Sequence, residues 1–285
     1  MILVTGATGN VGREVVSQLL EAGAPVRALA RDPDSTGLPD GVDVVQGDLS
    51  EPDGLDRCLE GVEAVFLLWP LLTADALPEV LEAVSRHARR IVYLSSMGID
   101  DDLDRQEDPI NQSHADVEQL IERFGLEWTF VRSGGMATNT LWWAPDVRAD
   151  GVVRSFHGAA LRSLVHERDV AAVTVRALSA DEHVGARYPV TGPQSLTQVE
   201  QMHAIGEAIG RRLRWEEIPP ETARQGMLAD GTSPSLADGI LNAHARFVTE
   251  PEPVTRTVQE VTGAPARTFR QWADDHAGDF EQAEG

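Results

Sequence analysis

The sequence predicts a doubly wound α/β fold, a parallel sheet with helices on both faces, followed by a smaller, mostly helical C-terminal lobe. Three observations predict it. Short apolar, β-branched runs alternate with amphipathic stretches over residues 1–132, glycines cluster directly after the first run, and the alternation stops at Ser133-Gly134-Gly135. Strands that are apolar throughout are covered on both sides, as parallel strands joined by crossover helices are.

Ile2–Thr5 is the first expected strand, and Val11–Ala22 the first helix, with Val15, Val16, Leu19 and Leu20 on one face. Val26–Ala30, Val42–Val45 and Ala64–Leu68 follow as strands. Leu77–His87 reads as a helix and Ile91–Ser95 as a strand. Ala115–Phe124 has Val117, Leu120, Ile121 and Phe124 at helical spacing, and Trp128–Arg132 is the sixth strand. The lobe over 133–285 begins with a loop carrying Trp142, Trp143 and Pro145. It continues with helices near Arg168–Ala180, Leu196–Ile209 and Ser235–Phe247, a strand at Arg187–Thr191, a last helix at Ala266–His276 and a polar, frayed tail at Glu281–Gly285. No internal repeat is visible.

Of 285 residues, 46 are acidic and 24 basic, a net charge of −22. Such a surface repels phosphate backbones and anionic lipid, so neither nucleic acid nor a membrane is an expected partner. All the basic residues are arginine; the sequence contains no lysine. That excludes Schiff-base chemistry and the lysine of a P-loop. The single cysteine, Cys58, excludes an internal disulfide and a multi-cysteine metal site, and reads as a small buried residue in a reducing cytoplasm. The chain reaches Gly6 too soon for a signal peptide, and its longest uncharged stretch, Ala64 to Ala74, is about half of the ~20 residues that span a bilayer. No metal is expected: no paired-histidine zinc motif occurs, and Asp100–Asp104 with Glu107 and Asp108 reads as a solvated acidic loop. No Gly-x-Ser-x-Gly elbow is present either.

The strongest motif is Gly6-Ala7-Thr8-Gly9-Asn10-Val11-Gly12, set between the first strand and first helix. Glycine permits the tight turn at Gly6, close approach of a pyrophosphate at Gly9 and close helix packing at Gly12, while the N–H groups of Thr8 to Gly12 and the helix dipole attract phosphate. Residues 1–132 are therefore expected to be a Rossmann-type dinucleotide-binding core. Arg31 ends the second strand, where an arginine accepts the 2′-phosphate of NADP and an acidic residue would select NAD; NADP(H) is favoured, with Asp32 beside it keeping NAD(H) open. At two further strand ends, Asp48 and Leu49 can meet the adenine, and Leu68, Trp69 and Pro70 can run along the nicotinamide ribose. Asp48 can equally cap a helix, and Trp69 can equally pack in the core.

The stretches Gly6–Gly12, Val26–Pro33 and Gly47-Asp48-Leu49, together with Ser95-Ser96-Met97-Gly98 and Tyr188–Thr197, resemble the NmrA-like branch of the atypical short-chain dehydrogenase/reductases. The resemblance spans Met1 to about Trp272. It implies a Rossmann fold, an NAD(P)H cofactor and either reduction of quinones and triphenylmethane dyes or cofactor binding without turnover. Ordinary members of the superfamily rely on a Tyr-x-x-x-Lys pair. Here no lysine exists, and the only tyrosines are Tyr93, inside a presumed buried strand, and Tyr188. By the same resemblance, His114 falls where isoflavone-reductase-like enzymes carry their lysine.

A simple ketone needs a strong acid as hydride adds, whereas a quinone gives a delocalised anion that water or an imidazole can protonate later. Loss of the pair therefore favours conjugated, aromatic acceptors. His114 and Ser95 are the expected catalytic residues, and Met97, Met136, Asn139, Trp142, Trp143 and Phe156 the expected walls for a small aromatic substrate. The expected activity is NAD(P)H-dependent reduction of a quinone or polycyclic aromatic compound. It extends to support for hydroxylation in aromatic polyketide antibiotic biosynthesis, a monooxygenase-type role. The alternative is a non-catalytic NADP(H)-binding redox sensor. The expected assembly is a monomer or homodimer.

Overall fold

The computed structural model describes residues 1–281, so the tail expected to fray lies from residue 282 onward outside the described residues. The first half follows the predicted alternation: β1 (Ile2–Val4), α1 (Asn10–Glu21), β2 (Val26–Ala30), β3 (Asp43–Gln46), α2 (Leu55–Leu59), β4 (Ala64–Leu67), α3 (Leu77–His87), β5 (Arg90–Ser96), α4 (Pro109–Arg123) and β6 (Glu127–Ser133). Further along lie α5 (Ala144–Ala149), β7 (Val152–Ser155), β8 (Leu161–Arg162), α6 (Glu167–Ser179) and β9 (Arg187–Val190). Seven strands form one parallel sheet in the order β3-β2-β1-β4-β5-β6-β9. Strand order reverses at β1, whose two neighbours are β2 and β4, and the crevice above such a reversal is where open α/β sheets bind ligands.

The chain divides into two compact units, and the division is not the expected cut at residue 132. One unit comprises Met1–Ser133, Glu167–Val190 and Thr257–Ala264; the other comprises Gly134–His166, Thr191–Arg256 and Pro265–Gly285. The first unit reclaims later residues because β6 would otherwise end the sheet with unpaired backbone groups. β9 pairs with it in parallel, Phe130 opposite Arg187, and α6 packs on α1, where Gln18 donates to the Arg168 carbonyl at 3.0 Å. The core of this unit is built from Leu3, Val65, Leu67, Leu81, Ile91, Tyr93, Ile121 and Phe130.

In the second unit, β10 (Leu196–Thr197) pairs antiparallel with β8, and β11 (Arg214–Glu217) pairs in parallel with β7. Its helices are α5, α7 (Gln198–Ala208), α8 (Pro220–Ala229), α9 (Pro234–Thr249), α11 (Phe269–Asp275) and α12 (Ala277–Phe280); α10 (Thr257–Thr262) belongs to the first unit. The helix expected from Leu196 starts two residues later, because Thr197 forms a capping box with Glu200. The loop expected to carry the two tryptophans is a 3₁₀ turn, Ala137–Trp143, running into α5. Trp272, Phe269, Phe280, Val147 and Ile205 lie in this unit's core. Among the described residues no helix is long and apolar enough to cross a membrane, and no group of three or more His, Cys, Asp or Glu side chains is placed to hold a metal ion.

Candidate active site

The glycine-rich turn has the geometry its residue types suggest. Gly6 is left-handed, at φ 61°, and Gly12 presses so closely on the turn that an added Cβ would lie 2.0 Å from the Gly6 carbonyl oxygen. The Gly9 N–H donates back to Gly6 O at 3.0 Å. Gly9 is the N-cap of α1, and no side chain caps the helix, so its first N–H groups stay open beside the exposed Thr8, Gly9 and Asn10. Val11 and Gly12 are buried, and anchor the turn from below. This uncapped, glycine-lined cradle fits a dinucleotide pyrophosphate.

Two residues that the sequence did not single out hold the turn in place. Thr5 Oγ1 accepts the Leu68 N–H at 2.8 Å, tying the end of β1 to the end of β4. Arg13, on the exposed side of α1, donates to the carbonyls of Thr8 at 3.0 Å, Gly37 at 3.0 Å and Thr36 at 2.7 Å, which links the turn to the loop after β2. In sequence Arg13 is an ordinary helix-surface arginine, with no local signal of that bridge.

Arg31 directly follows β2 and is exposed, and among the described residues its side chain makes no ion pair or hydrogen bond. Asp48 is close enough for the Arg31 charge to lower its pKa slightly, although hydrogen bonds from the Ser50 N–H and hydroxyl, at 2.9 and 2.7 Å, are the larger cause. Asp48 thus closes a local turn and does not cap α2, whose N-cap is Gly54. Leu68 lies over Gly6, and Pro70 is exposed. Leu49 departs from expectation, and Trp69 follows the core-packing alternative. Both are 7% exposed within the core, and the Trp69 indole N–H is held by the Thr73 carbonyl at 2.9 Å, so only their backbones are left to meet a cofactor.

At the end of β5 the structure joins several expected residues to α4. Asp108 starts this helix six residues earlier than its apolar spacing indicated: its carboxylate accepts the Ile110 and Asn111 N–H groups, with Pro109 at the first position. Asn111 donates to Asp108 at 2.6 Å and accepts the Ser96 hydroxyl at 2.6 Å, and the Met97 N–H donates to Ser133 O at 3.0 Å. Ser95, expected to face substrate, is 3% exposed and donates to Glu118 at 2.5 Å. Glu118, itself buried, also accepts from Arg132 at 3.0 and 2.7 Å; Arg132 in turn binds both oxygens of Asp101 at 2.8 and 2.7 Å. A buried Arg132 needs those two carboxylates, and Ser95 completes the set, which removes its hydroxyl from substrate work.

His114 is half-buried on α4, and its Nδ1 lies 2.6 Å from the Tyr93 hydroxyl. Burial pushes the imidazole pKa down to about 4 against a weak upward pull from Asp108, and burial pushes the Tyr93 phenol up with help from Glu118. Both are neutral at pH 7. At pH 7 His114 would therefore meet an acceptor as a neutral imidazole, a hydrogen-bond donor, not as an imidazolium.

The expected substrate walls divide between the units: Met97 belongs to the first, and Met136, Asn139, Trp142, Trp143 and Phe156 to the second. Trp142 is 72% exposed and Asn139 is also exposed, while Met97 and Met136 are half-buried. Trp143 and Phe156 are core residues. Trp143 packs edge-on to Trp215, and Phe156 sits with Ala223 and Leu241 and edge-on to His244.

Residues 6–181 match the family described as NAD(P)H-binding. The chain belongs to it. A (4-alkanoyl-5-oxo-2,5-dihydrofuran-3-yl)methyl phosphate reductase of Streptomyces griseus subsp. griseus is 43% identical over 98% of this chain and 99% of its own length. An NAD(P)H azoreductase of Xenophilus azovorans is 36% identical over 99% and 100% respectively. Among solved structures, the NADPH-dependent quinone oxidoreductase QOR2 of Escherichia coli in complex with NADPH superposes with a TM-score of 0.79 at 22% identity, covering 96% of this chain and 99% of that one. The family and Rossmann-type fold expected from the motifs are thus those of the chain.

Proposed function

We propose that this chain is an NADP(H)-dependent reductase of conjugated acceptors: quinones, azo compounds, or enones such as the acyl dihydrofuranone in its relative's name. The carrying observation is the coexistence of an open dinucleotide cradle with a neutral histidine at the position where related enzymes are expected to hold their lysine. The backbone of Thr8–Gly12 would hold the pyrophosphate, Arg31 the 2′-phosphate, Asp48 the adenine, and Leu68 and Pro70 the ribose beyond it. The bound dinucleotide supplies a hydride. The residues around it need to align the acceptor, exclude water and stabilise charge on an oxygen or nitrogen.

The relatives widen the substrate class beyond polycyclic aromatics. In the named dihydrofuranone, the ring double bond is conjugated to two carbonyl groups. Hydride addition to the carbon bearing the phosphomethyl arm moves the π pair into an anion spread over both carbonyls, and water can then protonate the neighbouring carbon. That anion, like a quinone's, demands little acid from the protein. Support of an oxygenation in polyketide antibiotic formation would require the reduced product to pass its electrons to O₂.

The test is NADPH and NADH consumption with a quinone, an azo dye and an acyl dihydrofuranone phosphate, with product mass and oxygen uptake followed together. Acceptor-dependent oxidation, faster with NADPH, is expected. No turnover on any of the three, with cofactor binding intact, would leave the redox-sensor alternative. Turnover without oxygen uptake would remove the link to oxygenation.

A further inference from the structure

We propose that Tyr93 is a positioning residue that holds His114 as the Nε2–H tautomer, so that a neutral imidazole donates a hydrogen bond to the oxygen gaining negative charge as the acceptor takes up hydride. This rests on the reductase assignment above, and it names how the site replaces the missing lysine.

The tautomer follows from counting donors and acceptors. Tyr93 is 1% exposed, and Nδ1 of His114, at 2.6 Å, is the hydroxyl's one partner among the described residues. Were Nδ1 protonated, the phenol could only accept, and its own O–H would lie buried without an acceptor, at the full desolvation cost of an unmade hydrogen bond. The phenol therefore donates, Nδ1 accepts, and the ring proton sits on Nε2. Among the described residues Nε2 makes no hydrogen bond, yet the sealed polar side-chain atoms lacking a partner are the hydroxyls of Thr174 and Ser195 only. Nε2 is thus open to a ligand or to water. The ring is also locked in place: Tyr93 meets it at a centroid distance of 5.8 Å, and α4 is fixed beneath it by the Ser95–Glu118–Arg132 set.

Charged groups facing the ring do not overturn this state. Asp108 lies on the same helix, with its carboxylate occupied as the N-cap, and Glu118 is neutralised by Arg132. A neutral imidazole donor cannot transfer its proton readily, but it can stabilise an oxyanion from a preorganised position. Such stabilisation suits an acceptor whose anion is delocalised and is protonated later by water.

The experiment combines ¹⁵N spectra of histidine-labelled protein with turnover on a quinone. The His114 resonances, assigned by their loss in His114→Gln, should show Nε2 protonated and Nδ1 accepting at pH 7. Tyr93→Phe should abolish that pattern and lower kcat on the order of tenfold, with the KM for NADPH unchanged. His114→Gln, which restores an N–H near the Nε2 position, should keep more kcat than His114→Ala, which should lose about a hundredfold. A protonated Nδ1, an imidazolium at pH 7, or a Tyr93→Phe enzyme with unaltered spectrum and kcat would overturn the proposal. Because the wild-type spectrum needs no variant, it decides the tautomer even if Tyr93→Phe folds poorly. Absence of wild-type turnover on every acceptor would instead remove the reductase assignment.

Discussion

At the scale of single residues, the cradle depends on what is missing from it. A methyl group at residue 12 would meet backbone, not a flexible side chain, 2.0 Å from the Gly6 carbonyl oxygen. Gly12→Ala should therefore cost about 2–3 kcal/mol in denaturant unfolding and abolish NADPH binding, because relief requires moving the turn itself. Gly9→Ala, whose Cβ would have ordinary room at 3.4 Å from the nearest atom, should fold normally and lose affinity only through the closer approach the phosphate needs. Arg31 supplies the complementary case of a side chain that is present and unspent. Arg31→Ala should weaken NADPH binding about 10–100-fold and leave NADH binding almost unchanged, as a fluorescence titration with both cofactors would show. Equal losses for the two would mean that Arg31 does not meet the 2′-phosphate.

At the scale of elements, β5, β6 and α4 are joined by a buried charge set, and its members are unequal. Glu118→Gln leaves Arg132 buried with only the exposed Asp101 as counter-charge, and should destabilise the fold by about 3 kcal/mol in denaturant unfolding. Replacing both partners, Glu118→Leu with Arg132→Met, should recover most of that loss, since desolvation of two charges is avoided. The same elements show how far sequence patterning reaches. Apolar periodicity located β1 to β6, α1, α3 and the C-terminal end of α4 to within a few residues, because both faces of the sheet are covered and the pattern is strong. It failed at polar signals: the Asp108-Pro109 cap begins α4 early, β8 and β10 have two residues each, and β7 and β11 carry charged residues where β1 to β6 show apolar runs. Within the site, the glycine turn was legible because backbone geometry restricts which residues fit. The fates of Ser95, Leu49 and Trp69 were not, since whether a side chain faces a ligand or Glu118, the core or a cleft depends on partners far away in sequence.

At the scale of the whole molecule, each unit contains one histidine that burial keeps neutral: His114 in the first and His244 in the second, both lowered to about 4 from 6.5, the latter helped by Arg162. A depressed histidine pKa means that the unfolded chain binds more protons than the folded one between those values. Stability should therefore be full above about pH 6.5, fall as the pH is lowered towards 4, and lose on the order of 3 kcal/mol per histidine across that window. Asp101, held low by Arg132, adds a further loss at still lower pH. Melting curves from pH 7 to 4 would test this, and a flat profile would mean that neither ring is buried neutral. The order of assembly follows from the late arrival of β9. On the ribosome, β6 is complete at residue 133, while its partner strand begins only at residue 187. For roughly 3–10 s of translation, Phe130 to Ser133 thus present an unpaired edge to every neighbouring nascent chain. The edge is closed from further along the message, so a polypeptide interrupted within residues 134–186 carries the whole nucleotide cradle and remains sticky.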